Sequence, residues 1–199
     1  MRTVDPVKHE VKRREILDAA GRCFVRKGFQ GATIASICAE AKISPGHLYH
    51  YFASKEAIIE AMAEARLEAT AQFLSKAVDG TDVLATILAG VEVSLKGDKH
   101  NGQEMRIDML AEAGRNPAMA KIVEENSKAL QAHISDFLRK GQASGQIDPG
   151  LDPAVTAGVL LIISDGLKTL PLRNSKFDVT SNLDTLSILL TRFLSPPKS

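Results

Sequence analysis

The sequence predicts an all-α protein of about nine helices, and three observations carry this prediction. Apolar residues recur with a helical period along most of the 199 residues, and no stretch shows the sustained alternation of a β-strand. Hydrophobic residues make up 44% of the chain but aromatic residues only 5%, so the core must be aliphatic and alanine-rich. Breaks rich in glycine and proline separate the periodic segments.

The first helix is predicted over residues 7–27. Its apolar residues, among them Ile16 and Phe24, share one face, and most of its arginines lie off that face. The pair Lys27-Gly28 is a typical helix end, since a basic last turn is followed by a glycine that can take a positive φ.

Two short helices and one long helix follow. Thr33 is the predicted N-cap of a helix ending at Ala41, and Ser44 is the predicted N-cap of a helix over Pro45 to Phe52. Ser54 then opens a helix from Lys55 to about Ala77. The turn between the two short helices has the length found in a helix-turn-helix.

The rest of the chain is also predicted to be helical. Gly- and Pro-containing breaks delimit helices at roughly 81–96, 102–115, 117–143, 153–171 and 180–194. The last two are apolar around most of their circumference, which is typical of helices that are buried, in part by a second subunit.

Composition and charge exclude several classes of protein. The net charge is only +1, but residues 1–60 carry +3 and the remainder −2. The start of the chain lacks the apolar core of a secretory signal, and two cysteines between apolar neighbours favour a reduced, cytoplasmic protein. The longest charge-free run of the most apolar region, residues 153–164, is shorter than the ~20 residues of a membrane-spanning helix.

The third helix has an unusual exposed face. Leu48 and Phe52 lie four residues apart and define the buried side. The outward side then carries a glycine, two histidines and a tyrosine, namely Gly46, His47, Tyr49 and His50. Such a surface suits contacts to DNA base edges and phosphates.

Two further residues point to an anionic partner. Lys55 stands in the first turn of a helix, where a cation opposes the helix dipole at a cost of about 0.3 to 1 kcal/mol, and phosphate is the obvious compensation. Thr33 at the start of the second helix offers a hydroxyl beside free backbone N–H groups.

These residues together resemble the N-terminal domain of TetR-type transcriptional repressors. The resemblance rests on Gly28-Phe29, Thr33-Ile34-Ala35, the run Ile43-Ser44-Pro45-Gly46-His47-Leu48-Tyr49-His50-Tyr51-Phe52, and Ser54-Lys55-Glu56-Ala57-Ile58. It implies a three-helix DNA-binding domain at residues 1–54, and an effector-binding and dimerisation domain at 55–199 whose last two helices form a four-helix bundle between protomers.

The resemblance also assigns roles to residues. It makes Thr33 a phosphate contact, Lys55 a phosphate clamp, and the outward face of the third helix the reading surface. The full expected DNA-binding set is Thr33, Lys42, Ser44, Pro45, Gly46, His47, Tyr49, His50 and Lys55. The family usually has a glycine where this chain has Lys42; if that position is left-handed, lysine costs on the order of 1 kcal/mol relative to glycine. Either the turn differs slightly or Lys42 adds a phosphate contact.

Effector and dimer contacts are expected in the second domain. The candidate effector-binding residues are Met105, Asp108, Met109, Glu112, His133, Phe137 and Asp165. Core packing with a few satisfied polar groups is the alternative explanation for all of them, and Lys168 is an ordinary partner for Asp165. The expected dimer interface is Leu160, Ile163, Leu167, Leu170, Leu186, Leu190 and Phe193.

The expected function is therefore a homodimeric, sequence-specific DNA-binding repressor that a small-molecule effector releases from its operator. A ligand-responsive activator is the alternative, and a helical adaptor or an enzyme is less well supported. We expect no enzymatic activity because no nucleophile elbow, P-loop or dinucleotide fingerprint occurs. No cofactor, metal site or membrane partner is expected, since His47, His50 and Cys38 make only a weak ligand set.

Overall fold

The computed structural model describes residues 5–76, 82–97, 103–174 and 183–197, and the regular structure within these ranges is entirely α-helical. The helices are α1 (Pro6–Gly31), α2 (Ile34–Ala41), α3 (Pro45–Tyr49), α4 (Lys55–Ser75), α5 (Val83–Gly97), α6 (Gln103–Ala113), α7 (Pro117–Ala143), α8 (Pro153–Arg173) and α9 (Leu183–Leu194). The predicted all-α class is confirmed.

The predicted helix starts in the first third of the chain follow from side-chain caps. The Thr33 hydroxyl accepts a hydrogen bond from the Ser36 N–H at 3.1 Å, and Ser44 Oγ accepts one from the His47 N–H at 3.2 Å. Ser54 does the same for the Ala57 N–H at 3.1 Å. Each cap satisfies a backbone donor that has no partner within its own helix, which is why the helices begin at these residues.

The end of the first helix is more complex than predicted. Gly28 has φ 68 and interrupts the helical backbone, as the Lys27-Gly28 pair predicts. A further turn then runs to Gly31, and the Ala32 N–H closes it on the Gly28 carbonyl at 3.1 Å. A residue other than glycine would be strained at Gly28, because φ is positive and a Cβ atom would lie 3.2 Å from Asp108 Oδ2.

The third helix is shorter than predicted. It ends at Tyr49 instead of Phe52, because the Tyr51 N–H bonds to the carbonyl of Leu48, three residues back, and tightens the last turn. The Phe52 N–H nevertheless donates a hydrogen bond to the Leu48 carbonyl, four residues back, at 3.0 Å. The apolar residues of this segment therefore keep the buried side that their spacing predicts.

The later helices lie close to their predicted positions. Helix α7 has the predicted bounds, and α9 ends at the predicted Leu194. Helix α6 ends two residues early and α8 ends two residues late. The predicted starts at 81, 102 and 180 and the predicted end at Ala77 fall outside the described residues.

The chain forms two compact units, each with its own core. The first, called here the N-terminal unit, comprises residues 1–66 and 100–126, and the second, the C-terminal unit, comprises 67–99 and 127–199. The N-terminal core includes Ile16, Phe24, Ile37, Leu48, Ile58 and Met119. These units group α6 and the start of α7 with the first helices, where α6 packs on α1, and the predicted boundary after residue 54 stays a prediction.

One helix passes a test for membrane spanning within the described residues. The 18-residue window Pro153–Leu170 of α8 is long and apolar enough by length and composition alone. The sequence prediction counted only the charge-free run and so missed this window, which takes in Asp165 and Lys168. A core helix passes the same test, so the result does not by itself indicate a membrane protein.

Candidate DNA-binding surface

Helix α3 exposes its polar side, and two buried residues attach this segment to the core. Leu48 is completely buried and Phe52 is 4% exposed, so both attach the helix to the N-terminal core. Tyr49 is 53% exposed. The other predicted reading residues, Gly46, His47 and His50, are exposed as well, as are Ser44 and Pro45. The predicted outward face of this helix is confirmed, and its contacts to DNA stay a prediction.

The turn before α3 is strained at Lys42. This residue has φ 54 and ψ 46, so it lies in the left-handed region that a lysine rarely adopts. The Ile43 N–H meanwhile bonds to the Cys38 carbonyl at 3.0 Å and closes the end of α2. The sequence left two alternatives for Lys42: a turn that avoids the left-handed conformation, or a phosphate contact. The backbone angles of Lys42 exclude the first alternative. The exposed Lys42 side chain stays a predicted phosphate contact.

Replacing Lys42 by glycine should have opposite effects on folding and on DNA binding. Lys42→Gly removes the left-handed strain and is expected to raise the free energy of unfolding by about 0.5 to 1 kcal/mol. It also removes a charge near the reading helix, which should weaken DNA binding and lower the salt slope by about 1 if Lys42 neutralises one phosphate. Urea unfolding and fluorescence anisotropy at several salt concentrations measure the two effects.

The matched control is Lys42→Gln, which removes the charge and keeps the strained backbone. It should weaken DNA binding as the glycine variant does, without the gain in stability. Unchanged DNA binding by both variants would exclude Lys42 as a phosphate contact. A lower stability of Lys42→Gly would contradict the interpretation of the turn as strained.

Lys55 has protein partners that the sequence does not reveal. Its Nζ atom donates to the carbonyl oxygens of Phe29 at 2.6 Å and Ala32 at 3.2 Å, and it lies 4.0 Å from the centre of the Phe29 ring. These carbonyls at the end of α1 explain a cation in the first turn of α4 without any phosphate. A phosphate clamp at Lys55 stays a prediction, but the position of the lysine in its helix no longer requires one.

The arginines of α1 also have partners within the protein. Arg22 Nε donates to Glu40 at 2.8 Å, and Arg26 pairs with the other oxygen of the same carboxylate. The hydrogen bonds from Arg26 and Arg22 lower the pKa of Glu40 to about 2. Both arginines therefore fasten α2 to α1, which is a structural role that the count of positive charges does not show.

Two predicted effector-binding carboxylates contact the end of α1 instead. Asp108 on α6 accepts a hydrogen bond from the Phe29 N–H. Glu112, also on α6 and only 2% exposed, accepts from Gln30 Nε2 at 2.6 Å. The Arg115 guanidinium donates to Glu112 at 2.7 Å and is the main cause of the lowered pKa of that carboxyl. The polarity of both residues is thus explained without a ligand.

The other predicted effector-binding residues belong to different compact units. Met109 packs against the N-terminal core, whereas Phe137 belongs to the C-terminal core. In the C-terminal unit His133 is exposed and Asp165 is partly buried. The side chain of Met105 lies outside the described residues. The seven predicted residues are thus divided between two compact units.

The predicted dimer-interface residues differ in exposure within their own chain, and their contacts with a second protomer stay a prediction. Leu190 is completely buried, Leu160 is 5% exposed and Leu186 is 9% exposed, all within the core of their own chain. The same core is covered by the partly buried side chains of Ile163, Leu167 and Phe193, while Leu170 is partly buried. These helices are apolar on nearly all sides, so their sequence does not show which side faces their own chain.

Other apolar residues are exposed on α8 and on α9. Ile162 is 73% exposed and Val155, seven residues earlier on the same face of α8, is 66% exposed. On α9, Ile188 is 54% exposed and Leu189 is 50% exposed. We call these four residues the open apolar face. Neighbouring sequence positions thus divide between the core and this face.

The sequence interpretation also missed His9. This residue of α1 stacks on Tyr51 with ring centres 4.6 Å apart, next to the reading helix. No local pattern in the first helix indicates this contact, because it joins residues 42 positions apart in the chain. Among the described residues, no group of three or more His, Cys, Asp or Glu side chains could hold a metal ion.

Comparison with known proteins identifies the family. Residues 16–62 match the model of bacterial regulatory proteins of the tetR family, and residues 83–195 match the C-terminal domain of BetI-type transcriptional repressors. The chain belongs to the TetR family. It is therefore a DNA-binding transcriptional regulator and not an enzyme.

Individual TetR-family relatives match over most of the chain. The HTH-type transcriptional regulator UidR of Escherichia coli K12 is 30% identical over 155 residues, which cover 78% of this chain and 79% of the relative. The HTH-type transcriptional repressor Rv1474c of Mycobacterium tuberculosis is 27% identical and covers 78% of this chain and 80% of its own length.

Solved structures of the family have the same fold. Salmonella enterica GusR superposes with a TM-score of 0.78 at 28% identity, over 92% of this chain and 95% of GusR. The regulator FadR from Bacillus subtilis, solved in complex with stearoyl-CoA, gives a TM-score of 0.74 at 20% identity, over 89% of this chain and 97% of FadR. At 20% identity, the similarity to FadR shows a shared fold and nothing about the ligand of this chain.

Proposed function

We propose that this TetR-family chain is a homodimeric repressor that binds operator DNA with α3 of each protomer and leaves it when a small molecule binds. The observation that carries the proposal is the exposed face of α3, built on the buried Leu48. Residues 42–52 include no Asp or Glu, so no carboxylate on this segment opposes a phosphate.

The proposed DNA contacts divide into two kinds. Thr33, Lys42, Ser44 and Lys55 are the proposed phosphate contacts, which position the helix without reading sequence. Gly46 and Pro45 allow the start of α3 to approach the duplex closely. His47, Tyr49 and His50 are the proposed contacts to base edges in the major groove and to the phosphates beside them.

Repression rather than activation is supported by the names of related proteins. The matching C-terminal domain is described as that of BetI-type transcriptional repressors, and Rv1474c is named a repressor as well. A bound repressor blocks transcription from the operator it occupies. We therefore place the protein in the cytoplasm, where it can reach the bacterial chromosome.

A homodimer is supported by the open apolar face of α8 and α9. Four large aliphatic side chains, each at least half exposed, are costly in water and suit a self-complementary two-fold interface. Such a dimer places two copies of α3 about 34 to 36 Å apart, or a multiple of this distance, on a palindromic operator.

Release by an effector requires a ligand that prefers the state that does not bind DNA. A coupling of about 1 to 3 kcal/mol between the two sites is usual. The C-terminal unit is the proposed location of the ligand, and FadR shows that this fold can accommodate one, stearoyl-CoA. Of the predicted effector-binding residues, His133, Phe137 and Asp165 lie in that unit and are the proposed ligand contacts.

An electrophoretic mobility-shift assay with DNA from upstream of its own gene tests the proposal. A saturable, salt-sensitive and sequence-specific shift is expected. Tyr49→Ala and His50→Ala should each reduce discrimination between operator and mutated operator by about 1 to 3 kcal/mol. The matched control is His100→Ala, at a histidine outside the proposed DNA contacts, which should bind as the wild type does.

A transcriptional reporter separates repression from activation. Removing the protein should raise expression from the promoter that it binds, and a fall would assign it as an activator. Compounds that raise the melting temperature of the protein should then be tested for disappearance of the shifted band. Equal affinity for operator and unrelated DNA would contradict the proposal. Unchanged operator discrimination by both Tyr49→Ala and His50→Ala would contradict it as well.

A further inference from the structure

Three imidazole rings surround one tyrosine at the edge of the reading helix. The His9 ring stacks on Tyr51 with centres 4.6 Å apart and an interplanar angle of 27°. His50 meets the same ring edge-on at 5.4 Å, and His47 lies tilted at 5.5 Å. The His9 and His50 rings are themselves 6.1 Å apart. We call these four residues the imidazole cluster.

The cluster joins two elements of the N-terminal unit. His9 comes from α1, whereas the other three residues come from α3 and the turn that follows it. His47 and His50 are exposed, and His9 and Tyr51 are partly buried. Two of the imidazoles can therefore reach a ligand outside the protein while the third supports them through the tyrosine ring.

The charged groups on α1 around His9 already have partners. Lys12 pairs with Glu15 at 2.7 Å, and Lys8 lies 3.9 Å from Asp5. Arg13 lies over the Phe52 ring at 5.4 Å and 3.9 Å from Glu64. None of the described ion pairs joins a carboxylate to an imidazole of the cluster.

The other elements next to the cluster add few acidic groups. Residues 42–52 contain Lys42 and no Asp or Glu, and α4 opens with Lys55 followed by Glu56. Lys55 is held by backbone carbonyls at the end of α1. The surroundings of the cluster are therefore cationic overall, and an outside anion is the missing counter-charge for a protonated imidazole.

We propose that the imidazole cluster is a proton-linked phosphate contact and that His9 is part of the DNA-binding surface. Histidine side chains gain a proton between about pH 8 and pH 5. A DNA phosphate beside the cluster supplies the opposite charge for the cationic form of these imidazoles, and the face of Tyr51 attracts the cationic form of the His9 ring stacked on it.

DNA affinity therefore increases as the pH falls through the histidine range. A protein that takes up protons on binding binds more tightly at lower pH. Each imidazolium that meets a phosphate also steepens the dependence of affinity on salt, by about 0.9 in the log–log slope. This inference rests on the proposed function, since it assumes that α3 contacts DNA.

Fluorescence anisotropy with a labelled duplex from upstream of its own gene tests the inference. We expect wild-type affinity to rise roughly fivefold to tenfold between about pH 8 and pH 6. His9→Phe keeps an aromatic ring against Tyr51 and removes the titrating group. It should bind nearly as the wild type does at the higher pH and lack at least about half of the logarithmic rise.

The control variant is His100→Phe, which removes a histidine that is not part of the imidazole cluster and should keep the full pH profile. Circular dichroism at each pH verifies that every variant stays folded. A wild-type affinity that does not change with pH, or an unaltered profile in a folded His9→Phe, would overturn the inference. Absence of specific binding at every pH would instead overturn the proposed function, so the two failures are distinguishable.

Discussion

An Ile162→Asp variant is expected to be monomeric and to bind operator DNA on the order of a hundredfold more weakly than the wild type, because two linked half-sites gain avidity that one cannot. Ile162 is 73% exposed on the open apolar face of α8. In the monomer the new carboxylate stays in water and costs little. In the proposed dimer it would be buried without a partner, which opposes association.

Sedimentation velocity gives the oligomeric state, and the mobility shift gives the affinity. Val93→Asp on α5 is the matched control, because Val93 is also a large exposed aliphatic residue, at 59%, but is not one of the four residues of the open apolar face. It should remain dimeric and bind DNA normally. A dimeric Ile162→Asp variant with unchanged operator affinity would exclude this face as the dimer interface.

Adjacent leucines on α9 should differ sharply in their contribution to folding. Leu190→Ala is expected to lower the free energy of unfolding by about 2 to 5 kcal/mol, because Leu190 is completely buried and its truncation leaves a cavity. Leu189→Ala should change it by less than about 0.5 kcal/mol in the monomer, because Leu189 is 50% exposed. The two changes share the same chemistry and the same helix.

Urea unfolding of both variants in the monomeric Ile162→Asp background measures this difference without a contribution from association. If that background is not stable, the same pair is compared in the wild-type chain at several protein concentrations, where only the effect of Leu189→Ala should depend on concentration. Equal destabilisation by the two variants would contradict the assignment of Leu190 to the core and Leu189 to the open apolar face.

The helices themselves were largely predictable, because their signals are local. Thr33, Ser44 and Ser54 cap their helices as predicted, and Gly28 takes the positive φ expected of it. The predicted end of α3 was three residues too late. The sequence gives no clear sign of where the α-helical hydrogen bonds, four residues back, change to a bond three residues back.

The reading surface was predictable for a related reason. In so short a helix, burial of Leu48 decides the orientation of every other residue, so the exposure of Gly46, His47, Tyr49 and His50 followed from spacing alone. Lys55 and Glu112 were different. Their partners, at Phe29 and Gln30, lie far away in the chain, and a charged residue in a sequence does not show which distant group compensates it.

Local patterns in the sequence predict the all-α fold, the caps of the short helices, the family and the outward face of α3. Each of these depends on residues a few positions apart. The folded chain is needed to show that Asp108 and Glu112 bond to the end of α1, that His9 stacks on Tyr51, and which residues of α8 and α9 are exposed. Helical periodicity separates apolar from polar sides, whereas long-range packing selects which groups meet.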